Sequence, residues 1–259
     1  GAIDQDNNGT YTGIEKIEIG TTGNSTDYGD LSVSRNNLGS CSSVTRAIFC
    51  GGQSSNVIDY VEFASAGNAS DFGDLGNTAA GCVATSNSTR GIITRLDDIY
   101  YITIATTGNS STFGTHDGDR AHCGSCASDT RAVFAGGISR EQTMDYVTIA
   151  TTGNAADFGN CSGLYERLAN GSVASATRGI FGGGYSSNTG GVTDRISYIT
   201  IASTGNTTDF GDLATTKSGQ ASASSLVRGT FAGGVSASAK LNVIEYITIG
   251  TTGNTTDFG

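Results

Sequence analysis

An eight-residue phrase returns six times along this chain, and a fold that ignores it is excluded. It reads TGNSTDYG at residues 22–29, AGNASDFG at 66–73 and TGNSSTFG at 107–114. It returns as TGNAADFG at 152–159 and as TGNTTDFG at 204–211 and 252–259. The copies lie about 41 to 52 residues apart, the spacing of one supersecondary unit stacked against the next.

The residues around the octet repeat too. Ahead of it runs an alternating stretch such as Tyr198-Ile199-Thr200-Ile201 or Tyr246-Ile247-Thr248-Ile249. That is the period-two pattern of a strand with one buried face. The Gly-Asn pair of the octet is expected to supply the positive φ angles of a tight hairpin turn. Further upstream stands Thr45-Arg46-Ala47-Ile48-Phe49-Cys50-Gly51-Gly52, with counterparts at 130–137, 177–184 and 227–234. The copy at 89–96 keeps Thr-Arg-Gly-Ile-Ile but not the glycines. A third element follows the octet: Asp30-Leu31 then Arg35, or Asp212-Leu213 then Lys217, leading into small residues such as 40–43 or 221–224. Small side chains suit an innermost strand, where sheets converge.

Each repeat therefore predicts four short strands, and the chain predicts an all-β single domain. A half repeat (1–30) precedes five complete ones at about 31–74, 75–114, 115–159, 160–211 and 212–259. This arrangement resembles the kelch repeat, with its basic residue before the first strand, Gly-Gly after the second and an aromatic residue near the fourth. The resemblance implies a β-propeller of four-stranded blades in a five- or six-bladed ring. It lacks one feature: there is no Trp, and Phe72, Phe113, Phe158, Phe210 and Phe258, with Tyr28 in the first copy, stand in its place.

The formal net charge of −10 repels phosphate backbones and argues against a nucleic-acid partner. No apolar run approaches the ~18 residues of a membrane span. The chain starts at Gly1, which suggests a fragment or a processed product. Of the six cysteines, Cys41 and Cys126 sit where other repeats carry Val173 or Ala223, and Cys50 where they carry Ala135, Gly182 or Ala232, which reads as small buried packing sites rather than a disulfide framework.

Three groups of residues are site candidates. Asp4, Asp6, Asn8, the Thr10 carbonyl and Glu15 have the spacing of a calcium loop, in which hard oxygens gather around a Gly turn. The alternative is a polar loop between strands, since Asp59, Asp145 and Glu245 hold the slot of Glu15 in other repeats. His116, His122, Cys123 and Cys126 offer imidazole and thiolate ligands for zinc. Here the alternative is a packed first strand. Arg46, Arg90, Arg131, Arg178 and Arg228 recur once per repeat. They either line an anion-binding rim or serve each blade, paired with acids such as Asp27, Asp71, Asp157 or Asp209. The structural reading is favoured, because an unpaired buried Arg is costly.

No nucleophile elbow or phosphate loop is present, and the two histidines lie in one repeat. The expectation is a non-enzyme that requires no cofactor, with calcium the one candidate. Gly/Thr/Asn-rich repeats of this wording resemble those of structural and tail-fibre-like proteins of marine bacteriophages. That resemblance implies a virion-surface or extracellular module for display or host recognition. Its partners would be other virion proteins and host surface glycans. An intracellular protein–protein adaptor and a propeller enzyme are the competing classes.

Overall fold

A computed structural model describes residues 11–78, 80–138, 142–161, 171–186 and 191–259. Among them there is no helix, and the strands form a β-propeller. Blade 1 comprises Gly39–Ser42, Arg46–Cys50, Val57–Glu62 and Ser70–Asp74. Blade 2 comprises Val83–Ser86, Arg90–Arg95, Asp98–Thr103 and Ser111–Thr115. Gly124–Ala127, Arg131–Ala135, Thr143–Thr148 and Ala156–Asn160 make blade 3. Blade 4 is Ser172–Ala174, Arg178–Gly182, Arg195–Thr200 and Thr208–Asp212. Blade 5 is Ala221–Ser224, Arg228–Ala232, Ile244–Thr248 and Thr256–Asp257. All five are antiparallel meanders from the innermost strand outward.

The half repeat forms a two-stranded sheet, Tyr11–Lys16 with Thr26–Arg35. It occupies the sector between blade 5 and blade 1. Its pairing of Glu15 with Asp27 matches that of Asp59 with Asp71 and Glu245 with Asp257. It is therefore the third and outer strand of a blade.

The octet clasps neighbouring sectors together. The Gly67 N–H donates to the Tyr28 carbonyl, Gly108 to Phe72, Gly153 to Phe113, Gly205 to Phe158, Gly253 to Phe210 and Gly23 to Phe258. These six bonds close the outer ring. The Asn that follows acts through its side chain: the Asn68, Asn109, Asn154, Asn206 and Asn254 amide oxygens each accept a backbone N–H of the preceding sector at 2.9–3.1 Å. The expected hairpin role of Gly-Asn is thus corrected. Gly23, Gly67, Gly108, Gly205 and Gly253 have positive φ and none of the Asn residues that follow them does, and the pair works between blades rather than within one. The last Gly of the octet is required by proximity: a Cβ on Gly73 would lie 2.5 Å from the Gly108 carbonyl.

The core lies between consecutive blades. Ile48, Ile58 and Phe72 of blade 1, for example, pack with Cys82, Ile93 and Ile102 of blade 2. Each octet Phe is buried and meets the third-strand Tyr edge-on, with ring centroids 6.0–6.1 Å apart. All six cysteines are buried free thiols. Burial pushes the Cys123 thiol up to about 11 and the Cys41 and Cys161 thiols to about 12. These three remain protonated packing groups.

Candidate functional site

Antiparallel blades place two kinds of connection on each face of the ring. One face carries the octets and the turns between innermost and second strands. Those turns are uniform: Ser43, Ser128, Ser175 and Ser225 each accept the N–H of the Arg three residues on, and Asn87 does so in blade 2. The opposite face carries the connections after the second strand and those between blades, and these differ from blade to blade.

Gly-Gly makes that variety affordable. Gly51 and Gly52 have φ of 62° and 116°, and the pairs at 136–137, 183–184 and 233–234 repeat the conformation. The chain turns there without Cβ hindrance and whatever follows is free to vary. In blade 1 a short loop follows. In blade 4 the small hairpin Tyr185–Ser186 with Gly191–Val192 rises instead. In blade 5, Val235 bridges to Ser218 and Lys240. Blade 2, without glycines, joins its strands through Leu96 and Asp97, and Leu96 takes a φ of 52°. Ile138, Tyr185 and Val235 are exposed on this face.

Directly beneath the loops the charges are buried and neutralised. Arg35 pairs with Asp59 at 2.9 Å, Arg120 with Asp145 at 2.7 Å and Lys217 with Glu245 at 2.7 Å. Blade 2 carries an uncharged version of the same contact, Asn77 with the Tyr100 hydroxyl at 3.5 Å. Burial by itself would raise the carboxyl of Glu245. Hydrogen bonds from Lys217, Thr255 and the Ala214 N–H, with the Lys217 charge, outweigh it and hold the group below its ordinary range. Asp145 is likewise held low: burial opposes ionisation, and contacts with His116 and Arg120 overcome it. Burial, aided by the Arg120 charge, keeps His116 neutral against the pull of Asp145. These pairs tie the connection entering each blade to its third strand. The sequence shows the basic residue and the acidic slot separately but carries no local sign that the two meet.

The proposed metal ligands are only partly described. Asp4, Asp6, Asn8 and Thr10 lie outside the described residues. Glu15 lies on the half-repeat sheet and accepts the Ser25 hydroxyl. His116 Nδ1 faces Asp145 at 3.3 Å, and its ring meets Phe134 edge-on. His122, at a φ of 59°, donates its backbone N–H to the Gly81 carbonyl. Cys123 packs with residues of blades 2 and 3, whereas Cys126 packs between blades 3 and 4. Among the described residues, no three His, Cys, Asp or Glu side chains gather as a metal centre.

The arginine row serves the blades, through partners other than the acids expected. The guanidinium groups of Arg46, Arg90, Arg131, Arg178 and Arg228 lie 4.2–4.6 Å from the ring centroids of Tyr60, Tyr101, Tyr146, Tyr198 and Tyr246. Each then donates Nη1 to a carbonyl of the next sector, at Ile104, Ile149, Ile201, Ile249 and Ile19 respectively. Arg46 also pairs with Glu62.

No protein-family model matches the chain, and no curated protein matches it. The loop face is therefore read from its own chemistry. With the paired charges buried beneath it, what reaches solvent is largely hydroxyl, amide and backbone, with the exposed charges of Asp97, Asp117, Asp119 and Lys240 and isolated apolar side chains such as Tyr185. Such a surface binds by hydrogen bonding and stacking.

Proposed function

We propose that this propeller is a non-enzymatic recognition or structural module of a virus particle, kelch-like in its repeat, which displays one variable face toward surface glycans. The observation that supports this most is the division of labour between the faces. The octet face repeats one construction from blade to blade. The loop face differs in the described connections of blades 1, 2, 4 and 5, and in every blade but blade 2 a glycine pair isolates loop changes from the sheets. A rigid scaffold with tolerant loops suits recognition. Hydroxyl- and amide-rich loops with an exposed Tyr suit polyhydroxylated, uncharged ligands. The wording of the repeats, similar to that of tail-fibre-like proteins of marine bacteriophages, supports a virion-surface setting with other virion proteins as neighbours.

A glycan-array and whole-cell binding screen of the purified chain, with calcium and with a chelator, tests this. Specific, saturable binding that Tyr185→Ala weakens is the expected result. Loss on chelation would bring the 4–15 segment into the mechanism. Absence of binding under both conditions would overturn the recognition role and leave a purely structural virion component.

A further inference from the structure

At three of the boundaries between blades, a side chain at the entry to the later blade meets the end of the second strand of the earlier one. The first position stands eight residues ahead of the later blade's Arg, and its counterpart four residues after the earlier blade's Arg. Between blades 4 and 5 the pair is Gln220 and Gly182, joined by a hydrogen bond from Nε2 to the carbonyl at 2.6 Å. Between blades 2 and 3 it is Cys123, which meets Thr94. Between blades 1 and 2 both positions are cysteine, Cys82 and Cys50.

The same backbone holds these two thiols beside each other. Cys82 Sγ accepts the Gly39 N–H at 3.2 Å and donates to the Cys50 carbonyl at 2.9 Å. Cys50 Sγ donates to the Gly39 carbonyl at 3.3 Å. The thiols also contact each other. Gly39 is tightly enclosed, since an added Cβ would lie 3.0–3.2 Å from the backbone of residues 82–84. The charge of the buried Arg35 acts on both thiols. Arg35 gives Nη2 to the Phe49 carbonyl and to Asp59, while among the described residues its Nε and Nη1 have no hydrogen-bond partner. Cys50 and Cys82 are 0% and 1% exposed but lie just beneath the loop face. Cys50 precedes the Gly51-Gly52 turn and the exposed Gln53, and the exposed Ala80 lies two residues ahead of Cys82. A water-sized oxidant reaches them by local opening of these connections.

The surroundings also make the two sulfurs unequal. Of the six thiols, Cys82 alone is held below its ordinary value. The Cys50 S–H is the main cause; the Gly39 and Gly52 N–H groups and the Arg35 charge add to it, and together they outweigh burial. Ionised, Cys82 gives up its bond to the Cys50 carbonyl and accepts the Cys50 S–H instead. Cys50 is pushed well above its ordinary value by the same contact and by burial. Cys123 holds the slot of Cys82 without a thiol partner, and burial pushes it up to about 11. The neighbour rather than the slot makes the difference.

We propose that Cys50 and Cys82 form a redox centre, in which Cys82 reacts with hydrogen peroxide and Cys50 then closes a reversible disulfide between blades 1 and 2. The thiolate is the nucleophile. Cys82 sulfur attacks one peroxide oxygen, the O–O bond breaks, and the departing hydroxide combines with the proton that Cys82 released to give water. Cys82 is now a sulfenic acid, which condenses with a neighbouring thiol. Cys50 sulfur attacks Cys82 sulfur, the S–O bond breaks, and hydroxide leaves with the Cys50 proton as a second water. Two thiols and one peroxide thus give one disulfide and two waters, with two electrons passing from sulfur to peroxide. A dithiol reductant reverses the link by exchange.

The test treats the reduced, folded 259-residue chain with hydrogen peroxide at neutral pH, then labels the remaining thiols with N-ethylmaleimide in denaturant. Trypsin releases residues 47–90 as one peptide, which holds Cys50 and Cys82 and no other cysteine. The expected peptide is unlabelled and two hydrogens lighter than its dithiol form, while Cys123 keeps its label. The link spans 32 residues and restrains the unfolded chain, so it raises the thermal midpoint by roughly 5 °C. Dithiothreitol restores both labels and the original midpoint. Cys50→Ala supplies the residue that blades 3 and 5 carry there, Ala135 and Ala232, and is first checked for an unchanged midpoint in the reduced state. In that variant oxidation stops at a Cys82 sulfenic acid that dimedone traps, and the midpoint does not rise. Both cysteines still labelled after peroxide, a disulfide to any other thiol, or a link that forms only in denaturant would overturn the proposal.

Discussion

The guanidinium of Arg131 lies 4.2 Å from the ring centroid of Tyr146 in its own blade and donates to the Ile201 carbonyl of the next at 3.1 Å. One side chain thus joins two strands of one blade and then two blades. Replacing Arg131 with Ala removes a part-buried cation–π contact and a charge-assisted hydrogen bond, an expected loss of roughly 2–3 kcal/mol. Arg131→Lys keeps the charge but cannot meet both partners with one planar group, so it falls between wild type and Ala. Urea unfolding midpoints of the three proteins provide the check.

Lys217 and Glu245 are both buried and 2.7 Å apart. Lys217→Met leaves a carboxylate buried without its counter-charge, at an expected cost of about 3–5 kcal/mol. Adding Glu245→Gln to that variant removes the uncompensated charge and should recover a large part of the loss. A double-mutant cycle read by chemical unfolding measures the coupling. Additive single effects would show that the pair contributes nothing as a pair.

Acid should destabilise the protein in two stages. His116 titrates below its ordinary value of 6.5, because burial and the Arg120 charge disfavour its cation. The unfolded chain therefore takes up this proton first. The stabilisation is complete above about pH 6.5 and is lost as pH falls toward the folded-state value. Asp145 and Glu245 are also held below their ordinary values, so their contribution is lost only below about pH 4. Unfolding midpoints measured from pH 7.5 to 3 should show both stages in the wild type. In His116→Asn the upper stage should be absent.

Gly73→Ala should be severe and Gly250→Ala mild. At Gly73 the new methyl would meet the Gly108 backbone at 2.5 Å, and its φ of 145° is accessible only to glycine. Backbone cannot swing aside as a side chain can, so a loss above about 3 kcal/mol is expected. At Gly250 an added Cβ would meet nothing within 4 Å, and the change should be within about 0.5 kcal/mol. Thermal unfolding of the two variants decides it.

The architecture was legible because its signals are local and repeated. The Ile-Thr alternation gives the third strand, the Arg-to-Phe stretch the second, and six octets give the number of sectors. What those residues do was less legible. Gly-Asn reads as a hairpin turn because that is its common local use, yet its hydrogen-bond partners lie in the preceding sector. Arg131 was expected to find an acid and instead has Tyr146 and a carbonyl some 70 residues downstream. Arg35 with Asp59 and Lys217 with Glu245 are separated by tens of residues, and only the closed blade brings them into contact. A single sequence shows which residues recur. It does not show which of them touch across a blade boundary.

Tyr28 alone replaces phenylalanine among the six octets, and its hydroxyl reaches the carbonyls of Glu62 and Ser65 in blade 1. The clasps on either side of every sector use the same atoms, so an octet by itself does not tell a folding chain which neighbour is correct. The extra oxygen on Tyr28 gives the first junction a mark that the other five do not share. It acts as an address within an otherwise anonymous series, which Tyr28→Phe would erase.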